Sequence, residues 1–204
     1  MILGLIPAAG KSTRMGRPKL ALRLGECSIL EHVIHALRAG EVEHVLVIVG
    51  PHVSELIPLA QAAGAEALLL PNETRDMRAT VEAGLNHLEE RFRPQQDDAW
   101  LLVPADHPSL DPGIIRQLAQ AKQERADLSI FLPSFQGQRG HPALIAWKHV
   151  TDLRENTRDT GINAWLRRQS AETLEVAVSD PGVLGDLDTP EDYLRWQQYW
   201  RQRI

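Results

Sequence analysis

Cysteine is almost missing from this chain, Cys27 being the only one among 204 residues. No internal disulfide can form and no cysteine-rich zinc site can be built, so a reducing cytoplasm is the expected setting. A long apolar run is missing as well. The apolar start, Met1 to Ile6, falls far short of the roughly 20 residues that cross a bilayer, and its positive residues follow it, opposite to a secretory signal. Neither a targeting segment nor a membrane partner is expected. Nor is there an excess of cations. With 22 Lys and Arg against 27 Asp and Glu, the net charge of -5 argues against a phosphate-backbone surface, which needs a basic patch. Nucleic acid is therefore not an expected partner, whereas small anionic substrates fit the composition. Repeats, low-complexity tracts and dividing linkers are absent too, and the length suits one domain over residues 1–204.

What is present is an alternation. Short, nearly continuous apolar runs at Ile2 to Ile6, Val45 to Val49, Ala67 to Leu70, Ala99 to Val103 and Leu128 to Leu132 read as buried strands. Helical patterns lie between them. Ser28-x-x-Glu31 forms a capping box for a helix carrying Ile29, Leu30, Val33, Ile34 and Leu37, which ends near Gly40. Further helices are expected over Val53 to Ala63, Arg78 to Arg91 and Pro112 to Arg125. The order predicts a three-layer α/β fold with a mostly parallel sheet and right-handed crossovers. After Pro133 the regularity weakens, so Ser134 to Gly140 and Thr151 to Gly161 are expected to be loops over the sheet edge. In a last helix from Pro190, the spacing of Tyr193, Trp196, Tyr199 and Trp200 reads as packing rather than as a stacking platform.

The segment Pro7 to Lys19, PAAGKSTRMGRPK, directly follows the first strand and carries the strongest functional signal. A loop after a strand can turn successive N–H groups toward an anion, and Ala8, Ala9 and Gly10 let phosphate oxygens come close to the main chain. Lys11, Arg14 and Lys19 supply charge. A strand-to-helix turn with solvated basic residues is the plainer alternative, but the density of cations favours a polyphosphate site. Gly10-Lys11-Ser12 is not the end of a P-loop. That motif needs four residues between its glycines, and Gly4 lies inside the apolar run with one residue too many before Gly10. In Pro104 to Leu110, Asp106 follows a strand and stands at the carboxyl edge of the sheet, where ligands bind in such folds. A turn or helix cap would also use an Asp-x-Pro, yet paired with a second carboxylate it suits magnesium, which takes one or two carboxylates plus phosphates and waters. Asp186 and Asp188 are both available as that second group, and alternate residues of an extended segment face opposite ways.

The pattern G-x-S-x-R-M-G-x-x-K, formed by Gly10, Ser12, Arg14, Met15, Gly16 and Lys19, resembles the signature of the MobA-like NTP transferase family. PADHPSL at Pro104 to Leu110, RGHPAL at Arg139 to Leu144 and GDLDTPEDY at Gly185 to Tyr193 resemble its later motifs, in the same order. Ala9, in the Ala-Ala-Gly form of the loop, is more like the molybdenum cofactor cytidylyltransferase branch than the guanylyltransferase branch. The resemblance implies a Rossmann-like, GT-A-like nucleotidyltransferase that moves CMP from CTP onto a phosphorylated acceptor such as molybdopterin, with Mg2+ as cofactor. It also implies a molybdoenzyme or chaperone as partner.

Residue by residue, the resemblance gives Arg14 the β- and γ-phosphates, with Lys11 nearby, and gives Lys19 the charge that develops around the α-phosphate. The main chain from Gly10 to Thr13, including Ser12, would cradle the triphosphate. Pro7, Ala8 and Ala9 with the Pro71-Asn72 turn would read the base. Asp106 and Asp188 would hold the metal, Asp188 being preferred because it directly precedes Thr189-Pro190. Asp192 would serve the dipole of the last helix. Arg139 and His141 would face the acceptor. Two stretches depart from the family: Asp76-Met77-Arg78-Ala79-Thr80 replaces a small, hydroxyl-bearing turn, and Arg158 to Asn163 replaces a run that ends in arginine. Arg78 either clamps the triphosphate beside Thr80 or crowds the nucleotide. The competing expectation is a catalytically silent nucleotide-binding regulator or assembly protein of the same fold.

Overall fold

The computed structural model describes residues 1–12, 15, 16, 18–156 and 161–201. The chain starts with β1 (Ile2–Ala8), passes through a small hairpin of β2 (Arg23–Leu24) and β3 (Cys27–Ser28), and enters α1 (Ile29–Ala39). There follow β4 (His44–Val49), α2 (Leu56–Ala62), β5 (Glu66–Leu69), α3 (Met77–Phe92), β6 (Ala99–Leu102) and α4 (Pro112–Glu124). The second half holds β7 (Ile130–Phe135), β8 (Gln138–Arg139), β9 (Ala143–Ala146), α5 (Val150–Asn156), α6 (Gly161–Arg168), β10 (Thr173–Ala177) and α7 (Pro190–Arg201). The main sheet runs in the order β10-β7-β9-β6-β1-β4-β5, with β8 attached to β7. The pairs β1–β4, β1–β6, β4–β5 and β7–β10 are parallel, while β9 runs antiparallel between β6 and β7. Among the described residues no helix is long and apolar enough to cross a membrane.

Alternating strand residues feed two buried layers. Ile6, Val45, Val47, Leu101 and Phe131 pack under α1, α2 and α4, whereas Leu3, Leu5, Leu46, Ile48, Trp100 and Ile145 pack under α3, α5 and α6. Each such leucine or isoleucine contributes about 1.5–3 kcal/mol by leaving water, which explains the near-continuous apolar runs of strands covered on both faces. Helix α3 lies close on the sheet because Gly84 has no side chain: a Cβ there would meet Ile48 Cδ1 at 2.8 Å and Leu5 Cδ1 at 3.0 Å.

The predicted capping box is present, with Ser28 Oγ accepting from Glu31 N and Glu31 accepting from Ser28 N, and Gly40 caps the end of α1. The expected helix from Val53 starts later, because Pro51–Val53 first makes a 3-10 turn before α2. Two expected loops prove to be regular structure. Ser134 pairs with Arg139 and Phe135 with Gln138 across a two-residue turn in which Gln136 (φ 51°) and Gly137 (φ 79°) are both left-handed. A polar sequence can form such a hairpin, because positive φ at both turn positions matches the strand twist. Residues 151–156 belong to α5, and α6 begins at Gly161, while 157–160 lie outside the described residues. Their charged residues hid the apolar stripe of Val150, Leu153, Ile162, Trp165 and Leu166. Of the α7 aromatics Tyr193, Trp196 and Trp200 do pack, only partly buried, whereas Tyr199 is exposed: Trp200 lies 4.5 Å from the His32 ring, and Tyr193 Oη donates to Arg23 O at 2.8 Å.

The chain leaves β1 toward β4 on one side, and β6 joins it on the other. This is a topological switch point, where the loops after adjacent strands splay apart and leave a crevice. The loops after β1 and β6 both open into it.

Candidate active site

A cavity of about 460 Å³ fills that crevice, lined by Pro7 to Ser12, Lys19, Leu20, His52, Glu73 to Met77, Thr80, Pro104 to Asp106 and Asp188. The loop after β1 supplies its first wall. Ser12 is left-handed (φ 48°), an uncommon state for a residue with a side chain. Its carbonyl accepts from Met15 N at 3.0 Å and its Oγ from Lys19 N at 3.3 Å, so the turn is tied at both ends. Opposite, α3 begins at the N-cap Asp76, which accepts from Ala79 N at 2.8 Å. Thr80 on its first turns meets Thr74 Oγ1 at 2.6 Å.

The floor of the cavity holds the densest charge. Lys19 Nζ donates to Asp106 Oδ2 at 2.7 Å, to Leu187 O at 2.7 Å and to Asp188 Oδ1 at 2.8 Å. Burial disfavours the ammonium, but the charges and hydrogen bonds of Asp106 and Asp188 outweigh it and raise the Lys19 pKa. Asp186 turns away from Lys19 and lines a second cavity of about 430 Å³ with Ser109, Gly182, Trp196 and Tyr199. Burial, then the nearby charges of Asp188 and Asp106, raise its pKa.

Behind the carboxylates, the rings of His107 and His141 meet edge to face at 5.3 Å. Burial lowers both pKa values, that of His141 to about 4, with His107 adding to the effect. At the cavity mouth Lys11 Nζ pairs with Glu73 Oε2 at 2.7 Å, and His52 Nδ1 lies 3.6 Å from Glu73 Oε1. The Lys11 hydrogen bond comes first among the causes that lower the Glu73 pKa.

The structure thus brings Pro7, Ala8, Ala9, Gly10, Lys11, Ser12, Lys19, Thr80, Asp106 and Asp188 to one cavity. Thr13 and Arg14 lie outside the described residues. Pro71 and Asn72 are exposed just beyond β5, and the cavity wall is made by Glu73 and Thr74 instead. Arg78 is buried on α3, its Nη1 paired with Glu82 Oε2 at 2.8 Å, and it does not line the cavity. Arg139 on β8 pairs with Glu175 at 2.7 Å. His141 stands behind the carboxylates rather than in the cavity. His52, Glu73 and Thr74 also line the cavity without belonging to any motif, and their one signal in the sequence is that each follows a parallel strand at its carboxyl end.

A mostly parallel α/β sheet with helices on both faces, a small-residue loop at its switch point and a carboxylate pair beneath it is the architecture of Rossmann-like nucleotidyltransferases. The chain belongs to the MobA-like NTP transferase family, whose domain matches residues 4–173. It is 28% identical over 202 residues to a probable molybdenum cofactor guanylyltransferase of Mycobacterium marinum, covering 94% of this chain and 90% of that one. It is 23% identical over 192 residues to the molybdenum cofactor cytidylyltransferase of Escherichia coli, covering 93% and 92%. A solved Mycobacterium tuberculosis protein in complex with manganese, 20% identical, shares the fold with a TM-score of 0.77 over 97% of each chain. The chain also matches bifunctional GlmU proteins, but spans only about a quarter to a third of their length, 29% of the one from Mycolicibacterium gilvum at 28% identity over 69% of this chain.

Proposed function

We propose that this chain is a nucleotidyltransferase that moves CMP from CTP onto a phosphorylated acceptor, molybdopterin being the favoured one, and releases pyrophosphate. One observation carries the reading: Lys19 joins Asp106 and Asp188 on the floor of the cavity that the Pro7 to Ser12 loop encloses. That places a cation and two hard oxygen donors beneath a wall suited to phosphates.

In the reaction an acceptor phosphate oxygen attacks the α-phosphorus in line, a new P–O bond forms, and the bond to the β-phosphate breaks. The acceptor is already ionised near neutral pH, so no general base is required. Lys19 stabilises the charge that grows at the α-phosphate, and the Gly10 to Thr13 main chain with Lys11 and Arg14 orients the leaving pyrophosphate. The hard oxygen donors of Asp106 and Asp188 fit magnesium and would hold it, and the chemistry it would supply is neutralisation of charge on the leaving pyrophosphate. Pro7, Ala8 and Ala9 read the base through the main chain, with Glu73 supplying an acceptor opposite. Ala9 supports the cytidylyl reading, and the names of the two molybdenum cofactor relatives support the acceptor class.

The test is pyrophosphate release with magnesium from CTP, GTP, ATP and UTP against phosphorylated acceptors that include molybdopterin. Release from CTP with molybdopterin is expected. Release from another pair would keep the chemistry and overturn the substrate assignment. Tight binding without release for any pair would overturn the enzyme and favour a silent nucleotide-binding regulator.

A further inference from the structure

An ammonium has three N–H donors and no acceptor. Lys19 spends all three on oxygens at hydrogen-bond distance: Asp106 Oδ2, Asp188 Oδ1 and the carbonyl of Leu187. Its side chain is only 13% exposed. Nζ therefore sits where the two carboxylates converge, held by an all-oxygen set of the kind that hard divalent ions select. Its backbone is fixed from both sides, with N donating to Ser12 Oγ at 3.3 Å and the carbonyl accepting from Leu22 N at 3.0 Å. The freedom to leave this seat lies in the four-carbon stem. The loop wall of Gly10 to Ser12, where a triphosphate would lie, borders the same cavity.

We propose that Lys19 is the resident counter-ion of Asp106 and Asp188, and that a divalent metal gains this seat only as the nucleotide draws Lys19 onto its phosphates. The inference rests on the metal and nucleotide assignment above and adds an order to it. A metal ion and an ammonium cannot share the point between the two carboxylates. Metal alone must displace Lys19 from both carboxylates while the other carboxylates that line the cavity among the described residues, Glu73 and Asp76, are already engaged by Lys11 and by Ala79 N at the start of α3; with nucleotide bound, its phosphates receive the ammonium. By linkage each ligand then tightens the other by the same factor. The carboxylate pair also keeps a cation between its two negative charges between turnovers, so that they do not face each other alone.

The experiment is Mn2+ binding to the full chain without nucleotide, read by the loss of the free-ion electron paramagnetic resonance signal. Wild type is expected to bind weakly. Lys19→Met should bind Mn2+ about tenfold more tightly, within the range of ordinary coupling between sites, and Lys19→Gln gives a second reading should the first variant fold poorly. Lys19→Arg keeps a cation on the carboxylates and should stay near wild type. A variant that merely damaged the site would lose affinity, so a gain is specific to the counter-ion role. If Lys19→Met and Lys19→Gln bind no more tightly than wild type while Asp106→Asn abolishes binding, the counter-ion role is overturned and the metal assignment stands. If Asp106→Asn leaves Mn2+ binding unchanged, the metal assignment fails and this inference falls with it.

Discussion

Asp188 reaches the position proposed for the metal from a segment without regular structure, and Asp192 is what fixes it. Asp192 Oδ2 accepts from Asp188 N at 3.1 Å, Thr189 N at 2.8 Å and Thr189 Oγ1 at 2.8 Å, while Thr189 Oγ1 accepts from Asp192 N at 3.2 Å. This is a reciprocal cap on α7, and the Asp192 side chain is only 14% exposed. Asp192→Ala would orphan two main-chain N–H groups and a hydroxyl. Loss of a cap costs about 1 kcal/mol, and hydrogen bonds to a charged acceptor are worth about 1.5–3 kcal/mol, so a total near 2 kcal/mol is expected after overlap. For a chain of this size that is a fall in Tm of roughly 4–8 °C. The pair with Arg195 adds little, because that side chain is 76% exposed. With Asp188 less fixed, Mn2+ affinity should drop about tenfold, the usual scale for residues that orient metal ligands. Asp192→Asn keeps an acceptor oxygen and should lose about half as much stability. Thermal melts and Mn2+ titration of both variants check this. An Asp192→Ala protein that melts within a degree of wild type and binds Mn2+ equally well would refute the positioning argument.

Lys19→Ala and Asp106→Ala should each lower turnover by at least about a hundredfold, as lost electrostatic stabilisation of the transition state does; steady-state pyrophosphate release measures it. Gly140→Ala should destabilise by about 1–3 kcal/mol in a denaturant titration, because its Cβ would stand 2.5 Å from Val183 O and 2.7 Å from Val183 Cβ. The third outcome concerns pH. His141 stays neutral in the fold down to about pH 4 but protonates near 6.5 once unfolded. Its contribution, roughly 2–3 kcal/mol, is present above pH 6.5 and is lost as pH falls through 4. His141→Gln should flatten the stability profile over that window, and an unchanged profile would refute the assignment.

The first half of the fold was legible because its signals are local. Ser28 and Glu31 cap α1 through their own side chains, and β1, β4 and β6 are apolar runs covered on both faces. The second half depends on partners distant in sequence. Ala143–Ala146 reads as too short and featureless for a strand, yet its four residues are buried between β6 and β7. Thr173–Ala177 is an edge strand that does alternate, Leu174 and Val176 packing on the core while Glu175 and Ala177 are exposed, but it is only five residues long and its parallel partner β7 lies far back in the sequence. The site divides in the same way. Lys19, Asp106 and Asp188 could be picked out from their motifs, but that one ammonium would bond both carboxylates and a carbonyl is a tertiary fact. Arg78 is hidden for a helical reason: as the second residue of α3 it has its direction set by the turn of the helix, and Glu82 one turn later captures it.

The two stretches that depart from the family therefore bear unequally on function. Arg78 is tucked against Glu82 and does not line the cavity, and Asn163 is exposed on α6, on the side of the sheet away from α1 and α4. The groups proposed for chemistry are held by other contacts. Lys19 is anchored through Ser12 and Leu22, and the segment carrying Asp188 is tied by His141 N to Val183 O at 2.9 Å, by Lys19 to Leu187 O and by Asp192 to the start of α7. Neither departure touches any of these ties in the described residues. A change at Arg78 or Asn163 therefore leaves the contacts that hold the ammonium and carboxylates on the cavity floor in place. The nucleotidyl-transfer proposal thus stands apart from the choice of acceptor, and an acceptor other than molybdopterin would leave the roles proposed for Lys19, Asp106 and Asp188 intact.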